Sequence, residues 1–278
     1  MSSTTKVALV TGASSGIGAD AALRLKEAGY TVYGAARRTE RMTALRDAGV
    51  TVLSLDITDE DSIRKAVDTI VRESERIDVL VNNAGYGSYG SVEDVPLDEA
   101  RAQIEVNVFG LARLTQLVLP HMRAQQSGTI INVSSMGGKL VTPLGGWYHA
   151  SKYAVEALSD ALRMETRRFG INVVVLEPGG IRTEWGAIAA ETLRETSSKG
   201  AYATMADRVA TALAASSQPE TRMASKPSVI GKTVVKIVKA RRPRTRYRAG
   251  FGAAPLLFLR WLLPDRAFDF VIGRPFGV

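Results

Sequence analysis

Apolar and polar positions along the chain follow two periods in alternation, and the changes of period mark out the elements. Short, mainly apolar runs at Lys6–Val10 (KVALV), Thr31–Ala36 (TVYGAA), Thr51–Leu55, Ile77–Val81, Thr129–Val133 (TIINV) and Ile171–Leu176 read as strands, the first of them buried. Between them, apolar residues recur at helical spacing over 17–28, from about Leu97 to Gln125, and from the stretch holding Tyr148 and Lys152 to about Phe169. Strands and helices alternate with helix-length gaps. This predicts an α/β fold, a doubly wound parallel sheet with helices on both faces.

After Thr183 the pattern loosens. Residues 184–224, rich in Ala, Thr, Ser and Glu, read as one or two helices. Pro227–Ala240 reads as a basic amphipathic helix with Val229, Ile230, Val234, Ile237 and Val238 on one side and Lys232, Lys236 and Lys239 on another. Thr245–Tyr247 suits a short last strand, and Leu256–Leu263 (LLFLRWLL) and Phe268–Ile272 are strongly apolar.

The 278 residues can bury a sizeable core and favour one domain. Hydrophobic content of 45% with 23% charged residues is that of a soluble globular protein. The absence of cysteine excludes disulfides and thiolate chemistry, and with only His121 and His149 no metal site is expected. The polar start, Met1 to Lys6, fits no signal peptide, and no apolar run reaches the roughly 18 residues of a membrane span, so a cytoplasmic protein is expected.

The formal charge of +8 is localised. Thr221–Pro264 holds eleven Lys/Arg and no Asp/Glu, which leaves 25 basic and 28 acidic residues elsewhere. That argues against a nucleic-acid partner. With the apolar segments beside it, 226–272 could instead make a peripheral membrane contact or serve as a lid or oligomer interface.

Chemistry-bearing residues lie at the expected strand ends. After the first strand comes Thr11-Gly12-Ala13-Ser14-Ser15-Gly16-Ile17-Gly18, a glycine turn that opens a helix. Such a turn lets backbone N–H groups approach a pyrophosphate. Arg37 and Arg38 follow the second strand with no carboxylate between, which suits a 2′-phosphate and favours NADP(H) over NAD(H). Asp56-Ile57 close the third strand, Asn82-Asn83-Ala84-Gly85 the fourth, and Glu177-Pro178-Gly179-Gly180 the sixth. Tyr148 and Lys152 stand one helical turn apart, so the ammonium can draw the phenol, ordinarily near pKa ~10, toward the working range.

TGASSGIG, NNAG, Asn107 in mid-helix, Ser135 thirteen residues before Tyr148, YHASK and PGGIRT occur in one order. With these motifs the chain resembles the single-domain short-chain dehydrogenase/reductase family, in particular its 17β-hydroxysteroid and retinol dehydrogenase-like branch. The resemblance is close over 6–183, which it implies to be the cofactor and catalytic core of a single domain, 1–278, with 184–278 as a helical substrate lid and C-terminal extension. It implies a Rossmann fold and a tetrad of Asn107, Ser135, Tyr148 and Lys152. In that set Tyr148 is the general acid or base and Ser135 holds the substrate oxygen. Lys152 lowers the phenol pKa and bonds the nicotinamide ribose, and Asn107 holds a relay water. For the cofactor it implies Gly12, Ser14, Ser15, Gly16, Ile17 and Gly18 at the pyrophosphate, with Arg37 and Arg38 at the 2′-phosphate. Asp56 and Ile57 would lie at the adenine, Asn83, Ala84 and Gly85 at its ribose, and Pro178, Gly179, Ile181 and Thr183 at the nicotinamide.

His149 is read as a core or surface residue. Trp147, Trp185 and Tyr86 are read as substrate contacts or as aromatic packing. The expected function is hydride transfer between NADP(H) and a ketone, aldehyde or secondary alcohol, with a bulky apolar small molecule as substrate and a homo-oligomeric assembly. The alternatives are a carrier-protein-linked 3-ketoacyl reductase and a dinucleotide sensor without turnover.

Overall fold

The computed structural model describes residues 5–277, so most of the polar start lies outside the described residues. The first half alternates strand and helix: β1 (Val7–Thr11), α1 (Gly16–Glu27), β2 (Thr31–Ala36), α2 (Thr43–Asp47), β3 (Thr51–Ser54), α3 (Glu60–Ser74) and β4 (Val79–Asn82). The second half continues with α4 (Leu97–Ile104), α5 (Leu111–Ala124), β5 (Gly128–Val133), α6 (Gly146–Thr166) and β6 (Ile171–Pro178). Then come α7 (Trp185–Ser197), α8 (Ala203–Ser217), α9 (Ser228–Lys239), β7 (Arg246–Ala249), α10 (Ala253–Leu262) and α11 (Asp265–Gly273).

The seven strands form one parallel sheet in the order β3-β2-β1-β4-β5-β6-β7. The apolar runs follow from burial on both sides. Ala8 and Val10 of β1 pack with α1 and α9, whereas Val7 and Leu9 pack with α3 and α5. The order reverses between β1 and β4, and in an open parallel sheet ligands bind at the strand ends beside such a reversal.

The helix expected over 97–125 is two helices joined by a π-helical turn, Glu105–Gly110. Two local contacts accompany the extra residue. Asn107 is drawn inward by hydrogen bonds to Tyr86, and Gly110 sits so close to the Ile57 carbonyl that a Cβ there would lie 2.4 Å from its oxygen. π turns of this kind occur mostly at functional sites.

The basic helix α9 buries its apolar stripe, Ile230, Val234 and Ile237, against α1 and completes the crossover into β7. Of the segment 226–272, the apolar side chains that face solvent are therefore mainly on α10 and α11, with Phe258, Trp261, Leu262 and Phe270 all more than half exposed. Their other faces cover the segment after Ser135, where Leu257 and Phe268 enclose Leu140 beside Met136. No helix among the described residues is long and apolar enough to cross a membrane.

Candidate active site

The crevice at the β1/β4 reversal is assembled from backbone. Gly12 turns the chain at φ +65°, and a Cβ on Gly18 would lie 2.3 Å from the Gly12 carbonyl oxygen, so α1 starts flush against the turn. No acidic residue occupies the first turn of α1, and the Ser15 side chain caps none of its N–H groups. The positive end of the helix is left for an anion, so the residues fit a pyrophosphate.

The loop after β4 is fastened to this turn. Asn83 Nδ2 donates to the Thr11 carbonyl at 2.9 Å, and the N–H groups of Asn83 and Ala84 both donate to Thr11 Oγ1 at 3.0 Å. Thr183 arrives from the far side, its methyl 2.9 Å from where a Cβ of Gly16 would stand. The six residues of the glycine turn, Asn83–Gly85 and Thr183 thus meet in one groove. Arg37 is exposed at the rim, its charge felt at the Asp56 carboxylate. Asp56 is held below the usual carboxylate range mainly by the N–H of Thr58, with Arg37 adding to it.

Beside the groove, Tyr148 and Lys152 project from α6 and Ser135 from the end of β5. The Ser135 hydroxyl lies close enough to the Tyr148 phenol to lower its pKa, and it accepts the Gly137 N–H at 3.0 Å. Lys152 is buried, donates from Nζ to the Val133 carbonyl at 2.9 Å, and lies 6.0 Å from the centre of the Tyr148 ring. Gly85 belongs to the same cluster: a Cβ there would stand 2.9 Å from Asn107 Oδ1 and 3.8 Å from Lys152 Nζ.

Two expectations change at this point. The phenol is not drawn down toward neutrality: burial pushes Tyr148 up to about 12, against the lowering effect of the Ser135 hydroxyl. The cause is packing, since Trp185 stacks on Tyr148 with ring centres 5.1 Å apart and Tyr89 lies 5.8 Å away. Burial also lowers Lys152 to about 8, which a Coulombic attraction to Glu156 opposes.

Asn107, second, commits both side-chain amide hydrogens to the protein, so a relay water would be held through its carbonyl oxygens. Its Nδ2 donates to the Tyr86 carbonyl at 2.9 Å and to Ser151 Oγ at 3.0 Å, while Oδ1 accepts the Tyr86 N–H at 3.0 Å. It clamps the loop after β4 onto α6.

His149 is a buried positioning group. Nε2 accepts the Thr142 N–H at 3.1 Å, so Nδ1 carries the proton and donates to the Gly137 carbonyl at 3.0 Å, steadying the segment after Ser135. Trp185 begins α7, and α7 packs with α8 over Tyr148 and Tyr89. Sequence reading passed over Glu156. Its signal was an acid at i+4 from Lys152 and i+8 from Tyr148, on the same stripe of a helix that faces the core.

Comparison with known proteins agrees with this geometry. The family model described as short chain dehydrogenase matches residues 6–194. The chain is 34% identical over 273 residues to a probable short-chain type dehydrogenase/reductase of Helicobacter pylori, covering 96% of this chain and 98% of that one. It is 36% identical over 271 residues to a 3-ketodihydrosphingosine reductase of Bacteroides thetaiotaomicron, covering 96% of each. Among solved structures, a short-chain dehydrogenase from Streptomyces avermitilis superposes with a TM-score of 0.81 at 33% identity, covering 98% of this chain and 97% of that one. A parallel sheet with its reversal at the glycine turn, Ser135 and Lys152 gathered around Tyr148, and likeness along the whole chain place the protein in the short-chain dehydrogenase/reductase family, oxidoreductases that act on CH–OH and C=O groups.

Proposed function

We propose that the protein is an NADP(H)-dependent reductase of a bulky apolar ketone, as in the 17β-hydroxysteroid and retinol dehydrogenase-like branch. One observation carries the reading: the Ser135 hydroxyl and the Tyr148 phenol face each other with Lys152 buried alongside, and the rings of Tyr89 and Trp185 pack on the Tyr148 ring. The glycine turn 12–18 would hold the pyrophosphate, with Arg37 and Arg38 at the 2′-phosphate. Asp56 and Ile57 would hold the adenine, Asn83–Gly85 its ribose, and Pro178, Gly179, Ile181 and Thr183 the nicotinamide. When bound, the dinucleotide supplies the hydride.

The chain's own residues do the rest. Ser135 donates a hydrogen bond to the substrate oxygen and Tyr148 gives it the phenolic proton. Lys152, as the ammonium, offsets the negative charge left on the phenolate. Aromatic walls suit an apolar substrate, and the relative of Bacteroides thetaiotaomicron is named for the ketone of a long-chain base.

The test is NADPH consumption over a panel of ketones graded by chain length and polarity. Turnover is expected to rise with apolar bulk. Tyr148→Phe should cost about 10²–10⁴-fold in kcat while NADPH binding stays nearly unchanged. Full activity in that variant, or binding without turnover on every ketone, would overturn the reading.

A further inference from the structure

Beneath the proposed reactive set, six charged groups gather around two buried carboxylates. Glu156 is 2% exposed on α6, one turn past Lys152, and Glu177 is fully buried at the end of β6, one residue before Pro178. Arg246 of β7 joins them, with Nε 3.1 Å from Glu156 Oε2 and 3.5 Å from Glu177 Oε1, and Nη2 2.7 Å from Asp160 Oδ2. Arg248 binds Glu177 at 3.2 Å, and Lys139, four residues past Ser135, binds Glu156 Oε2 at 3.2 Å. Gly138 brings the pieces into contact, since a Cβ there would lie 3.0 Å from both Glu156 Cγ and the Lys152 carbonyl oxygen. The three carboxylates and three cations balance in formal charge, while Oε1 of Glu156 has no hydrogen-bond partner.

We propose that Glu156 is the positioning residue of this site: its carboxylate ties the Ser135 segment through Lys139, and the strand leading to Pro178 through Arg246, to the helix bearing Tyr148 and Lys152. Three segments from distant parts of the chain are thereby held in register around one anion. The same anion sits beside the Lys152 ammonium and favours it over the neutral amine. The other charged or titratable groups facing this pair are Tyr148, Tyr153 and Asp160 with Arg163 on α6, Lys139 on the Ser135 segment, Glu177 on β6, Arg246 and Arg248 on β7, and Arg260 on α10.

The catalytic consequence rests on the role given to Lys152 above, so the test reads that lysine twice. Its pKa is followed by NMR of 13Cε-labelled lysine, assigned by the signal missing from Lys152→Met, and the alkaline limb of the kcat–pH profile is measured on the same proteins. Glu156→Gln should move both to lower pH by about one unit, and Glu156→Asp should restore them. Lys139→Gln, at a partly exposed position, removes the cation that offsets Glu156 and should move both upward. That opposite sign keeps the test decisive if Glu156→Gln fails to fold. An unmoved Lys152 pKa in the folded variants, or shifts of the same sign in both, would overturn the proposal. A pKa that moves while the rate profile stays fixed would overturn the role of Lys152 in the reaction and leave Glu156 where it is placed.

Discussion

Single residues here divide into those that meet ligand and those that hold them. Arg37 is proposed for the first kind: β2 ends at Ala36 without a carboxylate, and the arginine is exposed, its charge felt at Asp56. A charge-assisted hydrogen bond to a phosphate contributes about 1.5–3 kcal/mol. Arg37→Asp should therefore cut the preference for NADPH over NADH by roughly 10–100-fold, read as the ratio of kcat/KM values. An unchanged ratio would assign the phosphate to another residue. His149 belongs to the second kind. Burial holds its imidazole below the ordinary 6.5, because the cation would lose water and the ring must accept from Thr142. The unfolded chain takes up a proton there before the folded protein does, so this contribution to stability is present above about pH 6.5 and lost below it. Tm should fall on acidification from pH 7.5 to 5.5, and the slope should flatten in His149→Gln. A slope unchanged in that variant would refute the assignment.

At the level of elements, the strands were legible because burial on both faces leaves short apolar runs that few helices imitate. The π turn was not. Its causes are long-range: Tyr86 drawing in Asn107, and the Ile57 carbonyl pressed on Gly110. Neither is visible in a helical period. Gly110→Ala would drive a methyl into that carbonyl, and overpacking of this kind costs about 1–3 kcal/mol. Coenzyme affinity should fall with stability if Ile57 lies at the adenine as proposed; calorimetric titration of the variant with NADPH checks this. Unaltered affinity would separate the π turn from the coenzyme site. The proposed reactive set was legible on other grounds. The spacing of Tyr148 and Lys152 by itself is weak, and Ser135 and Asn107 join them through the family resemblance of the surrounding motifs. Glu156 lies on the helix of Tyr148 and Lys152, but its partners Lys139, Arg246 and Glu177 come from three other segments, and only the folded sheet shows why an acid is tolerated there.

Across the whole molecule, charge and chemistry are distributed by the sheet. The basic stretch after Thr221 is partly structural: Arg246 and Arg248 are committed to buried carboxylates, and α9 turns its apolar side to α1. What the chain adds after β6 is thus divided between completing the sheet, covering Tyr148 with α7 and α8, and bracing the Ser135 segment with α10 and α11. The stacking of Trp185 on Tyr148 also has an optical consequence. The protein has three tryptophans, and Trp261, 78% exposed, is the one that an aqueous quencher such as iodide reaches most freely. Trp147 directly precedes Tyr148, and Trp185 forms the pocket wall. Emission that survives iodide therefore comes mainly from the neighbourhood of the phenol, and its colour reports on the packing around Tyr148.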